Sequence, residues 1–340
     1  MRDKNFVILV SGGAGYIGSH AVLALLDRGW RVVVVDNLST GFRWAVPSQA
    51  VFVEGDIGNA ALMRDVIRAH EITAIFHFAG SVVVPESVAN PLKYYRNNTA
   101  ASASLISAAV ENDVRTFIFS STAAVYGLPE TSLVTEDSPT RPINPYGRSK
   151  LMTELMLGDV AAAHRMNFGV LRYFNVAGAD PLLRSGQATK GATHLIKVAL
   201  EAATGRRDGV SIFGNDFSTP DGTGVRDYIH VSDLAVAHID TLEYLIHRPG
   251  ENLTLNCGYG RGYSVLDVLS AVDRVAGGEI RRRIEPRRPG DPDALIADNS
   301  RIRNVLAWRP NRHELNTIIS DALAWEKHQA ERLAGSGNSA

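Results

Sequence analysis

The sequence has little of several features that would define a class of function. Its only cysteine, Cys257, excludes an internal disulfide and indicates a reducing compartment. The formal net charge of −1 is too weak a field to hold nucleic acid or an anionic membrane. The apolar run Phe6–Val10 is too short for a signal-peptide core or a membrane span. We therefore expect a cytosolic protein.

Metal-ligand spacings are also missing. His77 stands inside Ile-Phe-His-Phe with no second His or Cys nearby, so we interpret it as a hydrogen-bonded core histidine and expect no metal site. The basic run 281–283 with Arg287 and Arg288 has no interleaved aromatic residues, which argues against nucleic acid. We expect Arg288 to face a ligand and the first three arginines to face water.

What the chain does have is an alternation of apolar strands and helical segments. At 340 residues, 45% of them hydrophobic, it can fill two sizeable cores. The strands are continuous apolar runs, typical of a parallel sheet covered on both faces. They are Phe6–Val10, Arg31–Val35, Val51–Val53, Ala74–Phe78 and Thr116–Phe119.

This alternation predicts an α/β fold. We expect a Rossmann-type doubly wound parallel sheet over residues 1–176 and a smaller C-terminal α/β substrate domain over 177–329. A segment at about 225–257 is expected to return to the first domain. Residues 330–340, small and polar, are expected to form a flexible tail.

Glycines at positions 12, 15 and 18 directly follow the first strand and open a helix. They permit a tight turn, close approach of the backbone to a pyrophosphate, and close packing of helix on strand. Asp36 ends the second strand, where a carboxylate accepts hydrogen bonds from ribose hydroxyls and repels a 2′-phosphate. The pattern predicts NAD rather than NADP. A glycine-rich turn without a ligand stays open as the alternative.

Later strands end in small or polar residues, at the edge where open α/β sheets bind ligands. Asp56 and Ile57 are expected to flank the adenine, and Ala79 and Gly80 to pass the diphosphate. Residues 120–122, Ser-Ser-Thr, are expected to approach the nicotinamide. For Asp56 a simple turn-forming role is equally open.

The stretch Asn144–Lys150 reads Asn-Pro-Tyr-Gly-Arg-Ser-Lys. Asn144 can cap a helix whose first turn tolerates Pro145, which places Tyr146 and Lys150 on one face, about 5–6 Å apart at Cβ. An ammonium beside a phenol favours the phenolate, but one lysine is not enough near pH 7, so a second positive group is needed. Taken alone, the spacing is more often coincidental than catalytic.

In the second half the strict alternation fades. Residues 177–192 have the composition of a surface loop that covers a ligand. Helices are predicted over 193–204 and, after strand 227–231, up to 246. A strand is predicted over 252–256, and Ser264 is expected to cap a helix through 275.

Several long motifs carry a resemblance to a known family. They are the glycine fingerprint with Asp36-Asn37, Phe119–Gly127, Asn144–Lys150, Arg172–Val176, Ile212–Asn215, Asp221–Val231 and Arg287–Asp291. With them the chain resembles the extended short-chain dehydrogenase/reductase family, and within it the enzymes that epimerise nucleotide sugars. The similarity extends from Phe6 to beyond Trp308.

The resemblance implies reversible inversion at C4 of the hexose in UDP-glucose and UDP-galactose, with bound NAD. Tyr146 matches the catalytic base, Lys150 its partner, and Thr122 the hydroxyl that bonds the 4-oxygen. The expected cofactor contacts are Gly12, Gly15, Tyr16, Ile17, Gly18, Asp36, Asn37, Ser39, Asp56, Ile57, Phe78, Ala79, Gly80, Asn97, Ser120, Tyr146, Lys150 and Tyr173. The expected substrate contacts are Thr122, Tyr146, Asn175, His194, Leu195, Phe213, Arg226, Tyr228, Arg288, Asp291 and Leu295.

Three positions depart from the pattern of some family members. Val82 replaces a lysine, so one diphosphate contact is lost, and His194 replaces an asparagine but keeps a donor. Leu295 replaces a tyrosine that restricts the sugar pocket, which opens the possibility of UDP-N-acetylhexosamine substrates. The family also implies a homodimer through helices around residues 92–111 and 147–164.

Two rival functions follow from the same motifs. A nucleotide-sugar 4,6-dehydratase shares Tyr, Lys and NAD but commonly carries Asp-Glu after the threonine, where this chain has Ala123-Ala124. An NAD-binding regulator without activity would be favoured by loss of the Tyr or the Lys, and both are present.

Overall fold

The computed structural model describes residues 6–189, 191–288 and 290–336 of the chain. The strands are β1 Val7–Ser11, β2 Arg31–Asp36, β3 Val51–Glu54, β4 Ala74–His77, β5 Thr116–Thr122, β6 Leu133–Val134, β7 Asn167–Tyr173, β8 Asn175–Ala177, β9 Val210–Phe213, β10 Val225–His230, β11 Leu253–Cys257, β12 Gly262–Ser264, β13 Arg282–Glu285 and β14 Ala294–Ala297. The helices are α1 Tyr16–Asp27, α2 Ala60–Ala69, α3 Val84–Ala89, α4 Pro91–Tyr94, α5 Ala101–Glu111, α6 Pro145–Ala163, α7 Leu195–Ala203, α8 Val231–Ile246, α9 Val265–Ala276, α10 Ser300–Leu306 and α11 Leu315–Ser336. A π-helical segment, Tyr95–Ala100, joins α4 to α5.

The main sheet has seven parallel strands in the order β11-β7-β5-β4-β1-β2-β3. The strand order reverses at β1, which lies between β4 and β2, so the carboxyl ends open a crevice there. The β1 side chains are buried throughout, as their continuous apolar sequence predicted. The predicted doubly wound parallel sheet is confirmed.

Helices cover both faces of this sheet. On one face α1 and α8 pack together and share a core with β1, β2 and β4. On the other, α2, α5 and α6 enclose a second core that includes Met63, Leu105 and Leu157. The stretch Asn144–Lys150 therefore lies at the start of a helix that is fixed against the sheet by its buried apolar residues.

The chain between β8 and the C-terminus builds a smaller layer beside the carboxyl edge. There β12, β10, β14 and β6 form one sheet, β8 pairs with β10, and β9 pairs with β13. Helices α7, α9 and α11 pack on one another around a third core. Between these elements α8 and β11 return to the main sheet.

Three expectations about surface segments need correction in part. The segment from 177 to 189 includes buried positions such as Ser185, whose Oγ lies 2.7 Å from Ser19 Oγ, beside exposed ones such as Leu182. Of the three arginines expected to face water, Arg281 and Arg283 are exposed, whereas Arg282 is half-buried and pairs with Asp273. The tail expected from residue 330 is helical to Ser336, and its remainder lies outside the described residues.

The histidine interpretation is confirmed. The Nδ1 atom of His77 lies 2.7 Å from Ser11 Oγ and its Nε2 atom 2.7 Å from Ser102 Oγ. Burial lowers the pKa of this imidazole to about 3, so it is neutral. Both ring nitrogens are satisfied inside the core.

Candidate active site

The glycine-rich loop forms a tight cradle between β1 and α1. Gly12 has a φ of +74°, and a Cβ there would lie 2.6 Å from Ala79 N. A Cβ on Gly18 would lie 2.1 Å from Gly12 O, so neither position accepts a side chain. Gly15 is the N-cap of α1, where no side chain caps the helix and its first turn has no acidic residue. The free N–H groups suit a phosphate.

Asp36 lies buried at the end of β2, beside this loop. Its carboxylate accepts from Ala14 N at 2.9 Å and from Leu38 N at 2.8 Å. Burial raises the pKa of this carboxyl, and the two backbone bonds oppose the rise. Because a carboxylate has about four lone-pair sites, it keeps acceptor capacity for two ribose hydroxyls.

Asn37 and Asp56 lie together at the neighbouring strand ends, with Asn37 Nδ2 donating to Asp56 Oδ2 at 3.2 Å. Ser39 N donates to Asn37 Oδ1 at 3.1 Å, which places Ser39 in the same group. Ile57, next to Asp56, is buried in the core under α2. The structure thus brings together the residues expected around an adenosine.

The end of β4 reaches the middle of the crevice. Phe78 N and Ala79 N both donate to Ser11 O, which holds this segment against the glycine-rich loop. A Cβ on Gly80 would lie 3.7 Å from Lys150 Nζ, so the backbone here passes close to this lysine.

The π-helical segment places two adjacent asparagines behind that backbone. Asn97 Nδ2 donates to Ser81 Oγ at 2.9 Å. Asn98, which sequence reasoning missed, is buried, accepts from Ser81 N at 2.7 Å and donates to Ser149 Oγ at 3.0 Å. It therefore ties the β4 loop to α6. A wide helical turn at this position offered no signal in the sequence.

Tyr146, Lys150 and Thr122 converge at the carboxyl end of β5. Asn144 caps α6 as predicted, accepting from Gly147 N at 2.9 Å. The Thr122 side chain lies close enough to Tyr146 to lower its pKa, and Lys150 Nζ donates to Ser120 O at 2.9 Å. All three side chains are buried.

Burial sets the protonation of this group. It raises the pKa of Tyr146, against the opposing hydrogen bond from Thr122. It lowers the pKa of Lys150 to about 8, against the opposing charge of Glu154. The protein alone therefore holds a neutral phenol beside an ammonium that is largely protonated at pH 7, and a further positive charge is required to form the phenolate.

Tyr16 and Tyr173 use their side chains within the protein. Tyr16 Oη donates to Gly178 O at 2.7 Å, fixing the segment after β8. The Tyr173 hydroxyl is hydrogen-bonded to Ser120 Oγ at the end of β5. Contacts from either residue to a cofactor would come from backbone atoms or, for Tyr16 and its neighbour Ile17, from the helix terminus.

A second group of expected contacts lies across the crevice. Asn175 is in register with Tyr228 and hydrogen-bonded to it, and both line a cleft with His194 and Leu195. Burial lowers the pKa of His194, and Gln187 Nε2 donates to its Nδ1 atom at 3.1 Å. Since the amide nitrogen is the donor, Nε2 of this neutral imidazole carries the proton and can donate to a phosphate.

The remaining contacts are on β10, β14 and the loop before β14. Arg226 is in register with Leu295, and its Nη2 atom lies 3.9 Å from Asp291 Oδ1. The Arg288 guanidinium lies 3.8 Å from the centre of the Phe213 ring. Leu295 is buried in one cluster with Ala123, the residue after Thr122. These are the residues expected on the nucleotide-sugar side of the crevice.

Known proteins share this arrangement of sheet and crevice. Residues 8–258 match the NAD dependent epimerase/dehydratase family. The UDP-glucose 4-epimerase of Azospirillum brasilense is 54% identical over 330 residues, covering 97% of this chain and 94% of that one.

Two solved structures are similar over nearly the whole chain. UDP-glucose 4-epimerase from Brucella ovis in complex with NAD has a TM-score of 0.91 at 43% identity, covering 94% of this chain and 98% of that one. The UDP-Glc/GlcNAc 4-epimerase of Campylobacter jejuni has a TM-score of 0.83 at 46% identity, covering 95% and 99%. The chain belongs to the NAD dependent epimerase/dehydratase family.

Proposed function

We propose that this protein interconverts UDP-glucose and UDP-galactose by reversible, NAD-dependent epimerisation at C4 through a 4-keto sugar. The observation that carries this proposal is the convergence of three buried side chains, Tyr146, Thr122 and Lys150, at the carboxyl edge of the sheet, where Lys150 Nζ donates to Ser120 O at 2.9 Å. The group lies between a cradle for a dinucleotide and a cleft suited to a nucleotide sugar.

The residues present fit a dinucleotide. Gly12 and Gly18 leave no room for side chains along the loop, and the uncapped first turn of α1 offers N–H groups to phosphates. Asp36 keeps acceptor sites for ribose hydroxyls. A dinucleotide held by these residues would supply the acceptance and return of hydride at C4, and its oxidised form would supply the further positive charge that the Tyr146 phenolate requires.

The proton steps belong to the chain's own side chains. Tyr146 Oη, as phenolate, takes the proton of the sugar's 4-hydroxyl and later returns it. Thr122 holds the same oxygen through its hydroxyl. The Lys150 ammonium, aimed at the site by its bond to Ser120 O, stabilises the phenolate electrostatically.

In this proposal the protein binds the substrate mainly through its nucleotide part. Arg226 and Arg288 can bind the diphosphate through paired N–H donors, His194 Nε2 adds a further donor, and Asp291 can accept from ribose hydroxyls. The contacts proposed on the hexose itself come from the catalytic group. A keto sugar tethered by UDP but loosely held can turn its other face toward the dinucleotide.

The family includes dehydratases, and the residues after Thr122 distinguish the two reactions. A 4,6-dehydratase needs an acid and a base for C6 and C5 beside the threonine. This chain has Ala123 and Ala124 there, in a turn that packs against Leu295 and Tyr126. Without ionisable groups at these positions, epimerisation is the reaction that the site supports.

The purified protein, given UDP-galactose alone, is expected to form UDP-glucose without added NAD, because the cofactor is restored in each cycle. The measurement is chromatographic separation of the two sugar nucleotides over time. A strict requirement for added NAD, with NADH accumulating, would instead identify a dehydrogenase that releases its product cofactor.

We also propose that two copies pair through α4, α5 and α6 and that the protein is cytosolic. Leu92 on α4 and Met152 and Leu155 on α6 are 61%, 41% and 61% exposed, and Val88 on the adjoining α3 is 64% exposed. Together they form an apolar surface that a second copy would cover. Sedimentation of the parent and of Leu155→Glu tests the pairing, since the charge should give monomers. For the location, no helix among the described residues is long and apolar enough to cross a membrane.

A further inference from the structure

A buried ion pair lies directly behind the catalytic group. Arg172 Nη2 donates to Glu154 Oε2 at 2.6 Å, and Arg172 Nε lies 3.1 and 3.2 Å from the two carboxylate oxygens. Both side chains are more than nine-tenths buried. Removing two charges from water costs about as much as such a pair returns, so stability alone is a weak reason to keep it.

Glu154 is placed to act on the site from α6. It follows Lys150 by four residues and Tyr146 by eight, so the three side chains share one face of the helix. Its carboxylate also accepts from Ser121 Oγ. Ser121 stands between Ser120, whose carbonyl accepts from Lys150, and Thr122, whose side chain adjoins Tyr146. Fixing Ser121 therefore fixes both of its neighbours against α6.

Arg172 is held just as firmly on its far side. Its Nη1 atom donates to Tyr126 Oη at 3.2 Å and to Glu136 O at 3.1 Å. Tyr126 Oη in turn donates to Asn256 Oδ1 at 2.6 Å. All three guanidinium nitrogens have partners, so the planar group is locked and presents a fixed fork to Glu154.

Each element packed around Lys150 presents a group to it, and most of these groups carry no net charge. Besides Glu154 on α6, β5 contributes the Ser120 carbonyl and the Phe119 ring, 4.9 Å from Nζ. His77 on β4 is neutral, since burial holds the pKa of its imidazole at about 3. Asn98 from the π-helical segment is uncharged, and the Arg172 guanidinium on β7 is bonded to Glu154. Among the described residues, Glu154 is the carboxylate that opposes the effect of burial on the pKa of Lys150.

We propose, on the basis of the function above, that Glu154 is a positioning residue of the reaction. Clamped by Arg172, it holds the Ser120–Thr122 strand end against α6 and supplies the negative charge that keeps Lys150 an ammonium. Lys150 in turn needs that charge to stabilise the Tyr146 phenolate. The pair thus serves catalysis through Lys150 without touching the sugar.

The decisive variant is Glu154→Gln, which keeps the shape and an acceptor for Ser121 but removes the charge. The Lys150 ammonium then loses its proton at lower pH, so the alkaline limb of the kcat profile with UDP-galactose should move down by about one pH unit. Arg172→Lys is the matched control because it keeps both charges and breaks the planar fork. It should lower the unfolding temperature yet leave the alkaline limb where the parent has it.

Each outcome decides the matter. An unshifted limb in Glu154→Gln overturns the proposal, as does an equal shift in Arg172→Lys, which would make the role purely geometric. If Glu154→Gln does not fold with Arg172 unpaired, the double variant E154Q/R172M removes both charges. Its limb should still lie below the parent's, and a parent-like limb there overturns the proposal. A parent protein without epimerase activity would overturn the proposed function, and this inference with it.

Discussion

The two sides of the crevice are built from different material. On the dinucleotide side the groups that face the ligand are backbone atoms and short side chains at the ends of buried parallel strands, such as Gly12, Asp36 and Gly80. On the nucleotide-sugar side they are long charged side chains on strand ends and loops, such as Arg226 and Arg288. The first side is fixed by the fold itself, whereas the second depends on a few adaptable side chains.

This difference suits the proposed chemistry. A cofactor that stays bound through every cycle needs a rigid, pre-formed binding site, whereas the sugar must rotate between the two half-reactions. A variant on the first side should therefore change the chemical step or the stability. A variant on the second side should change substrate affinity or choice. Substitutions at four positions test that division.

The largest effect is expected at Tyr146. Tyr146→Phe removes the group that takes the 4-hydroxyl proton, and positioned acid–base groups contribute about 10²–10⁴-fold, so kcat should fall by about 10³-fold. The bound dinucleotide should remain, which the absorbance spectrum of the purified variant checks. Tyr94→Phe is the matched control, because that ring lies 6.4 Å from Tyr146 but its hydroxyl is bonded to Val83 O. A Tyr146→Phe enzyme with parental kcat would refute the base assignment.

The division also explains what the sequence could predict. The glycine loop, the Asn144 cap and the core role of His77 depend on local pattern, and the structure has them where they were expected. The strand predicted to end at Phe119 continues to Thr122, because residues 120–122 pair in register with β7. Polar residues at a strand end look like a loop until the neighbouring strand is known.

Contacts between distant residues could not be predicted in the same way. Glu154 and Arg172 lie on a helix and a strand, and nothing in either segment names the other as its partner. Arg282 was expected to face water because the sequence does not show the carboxylate of Asp273 with which it pairs. The partners of long charged side chains are set by the tertiary structure, which the local sequence does not show.

Lys150 should show a trade between stability and function. Burial lowers the pKa of its ammonium to about 8, so in the folded protein its charge has a cost, which is full below that pH and vanishes as pH rises to the unfolded value of about 10.4. With dinucleotide removed from both proteins, Lys150→Met should raise the unfolding free energy at pH 7 by about 2–3 kcal/mol. Urea unfolding at pH 7 and pH 10.5 measures the gain and its loss.

Lys197, in the second half of the chain, provides the matched control. Burial also lowers the pKa of Lys197 to about 8, but this lysine is hydrogen-bonded to buried Glu326. Glu326 is also paired with Arg206, so Lys197→Met would leave that carboxylate with one of its two cationic partners and should therefore destabilise the protein. The two variants are expected to change the unfolding free energy in opposite directions. If both changed it in the same direction, the carboxylate partner of Lys197 would not be what distinguishes the two lysines.

A smaller effect is expected at Arg288, on the nucleotide-sugar side. Arg288 and Arg287 both lie 3.8 Å from a phenylalanine ring centre. Arg287 is paired with Asp293 at 2.9 Å, whereas Arg288 has no carboxylate partner among the described residues. Arg288→Met should raise KM for UDP-galactose about 10- to 100-fold with kcat unchanged, because diphosphate binding is the same in ground and transition states. Arg287→Met should leave KM near the parental value. A similar rise of KM in both variants would show that the local positive charge, and not Arg288 in particular, binds the diphosphate.

The smallest effect should concern which sugar is accepted. Leu295 is buried against Ala123, beside the position where the hexose meets Thr122, and its smaller side chain leaves more room than a tyrosine. Leu295→Tyr should lower turnover of UDP-N-acetylglucosamine relative to UDP-glucose by roughly 10-fold, because the added ring occupies the space needed by the acetyl group. Leu295→Ile conserves volume and should leave the ratio unchanged. Equal ratios in the parent and in Leu295→Tyr would show that this position does not select the sugar, and the division between a fixed dinucleotide seat and an adaptable sugar side would lose its finest test.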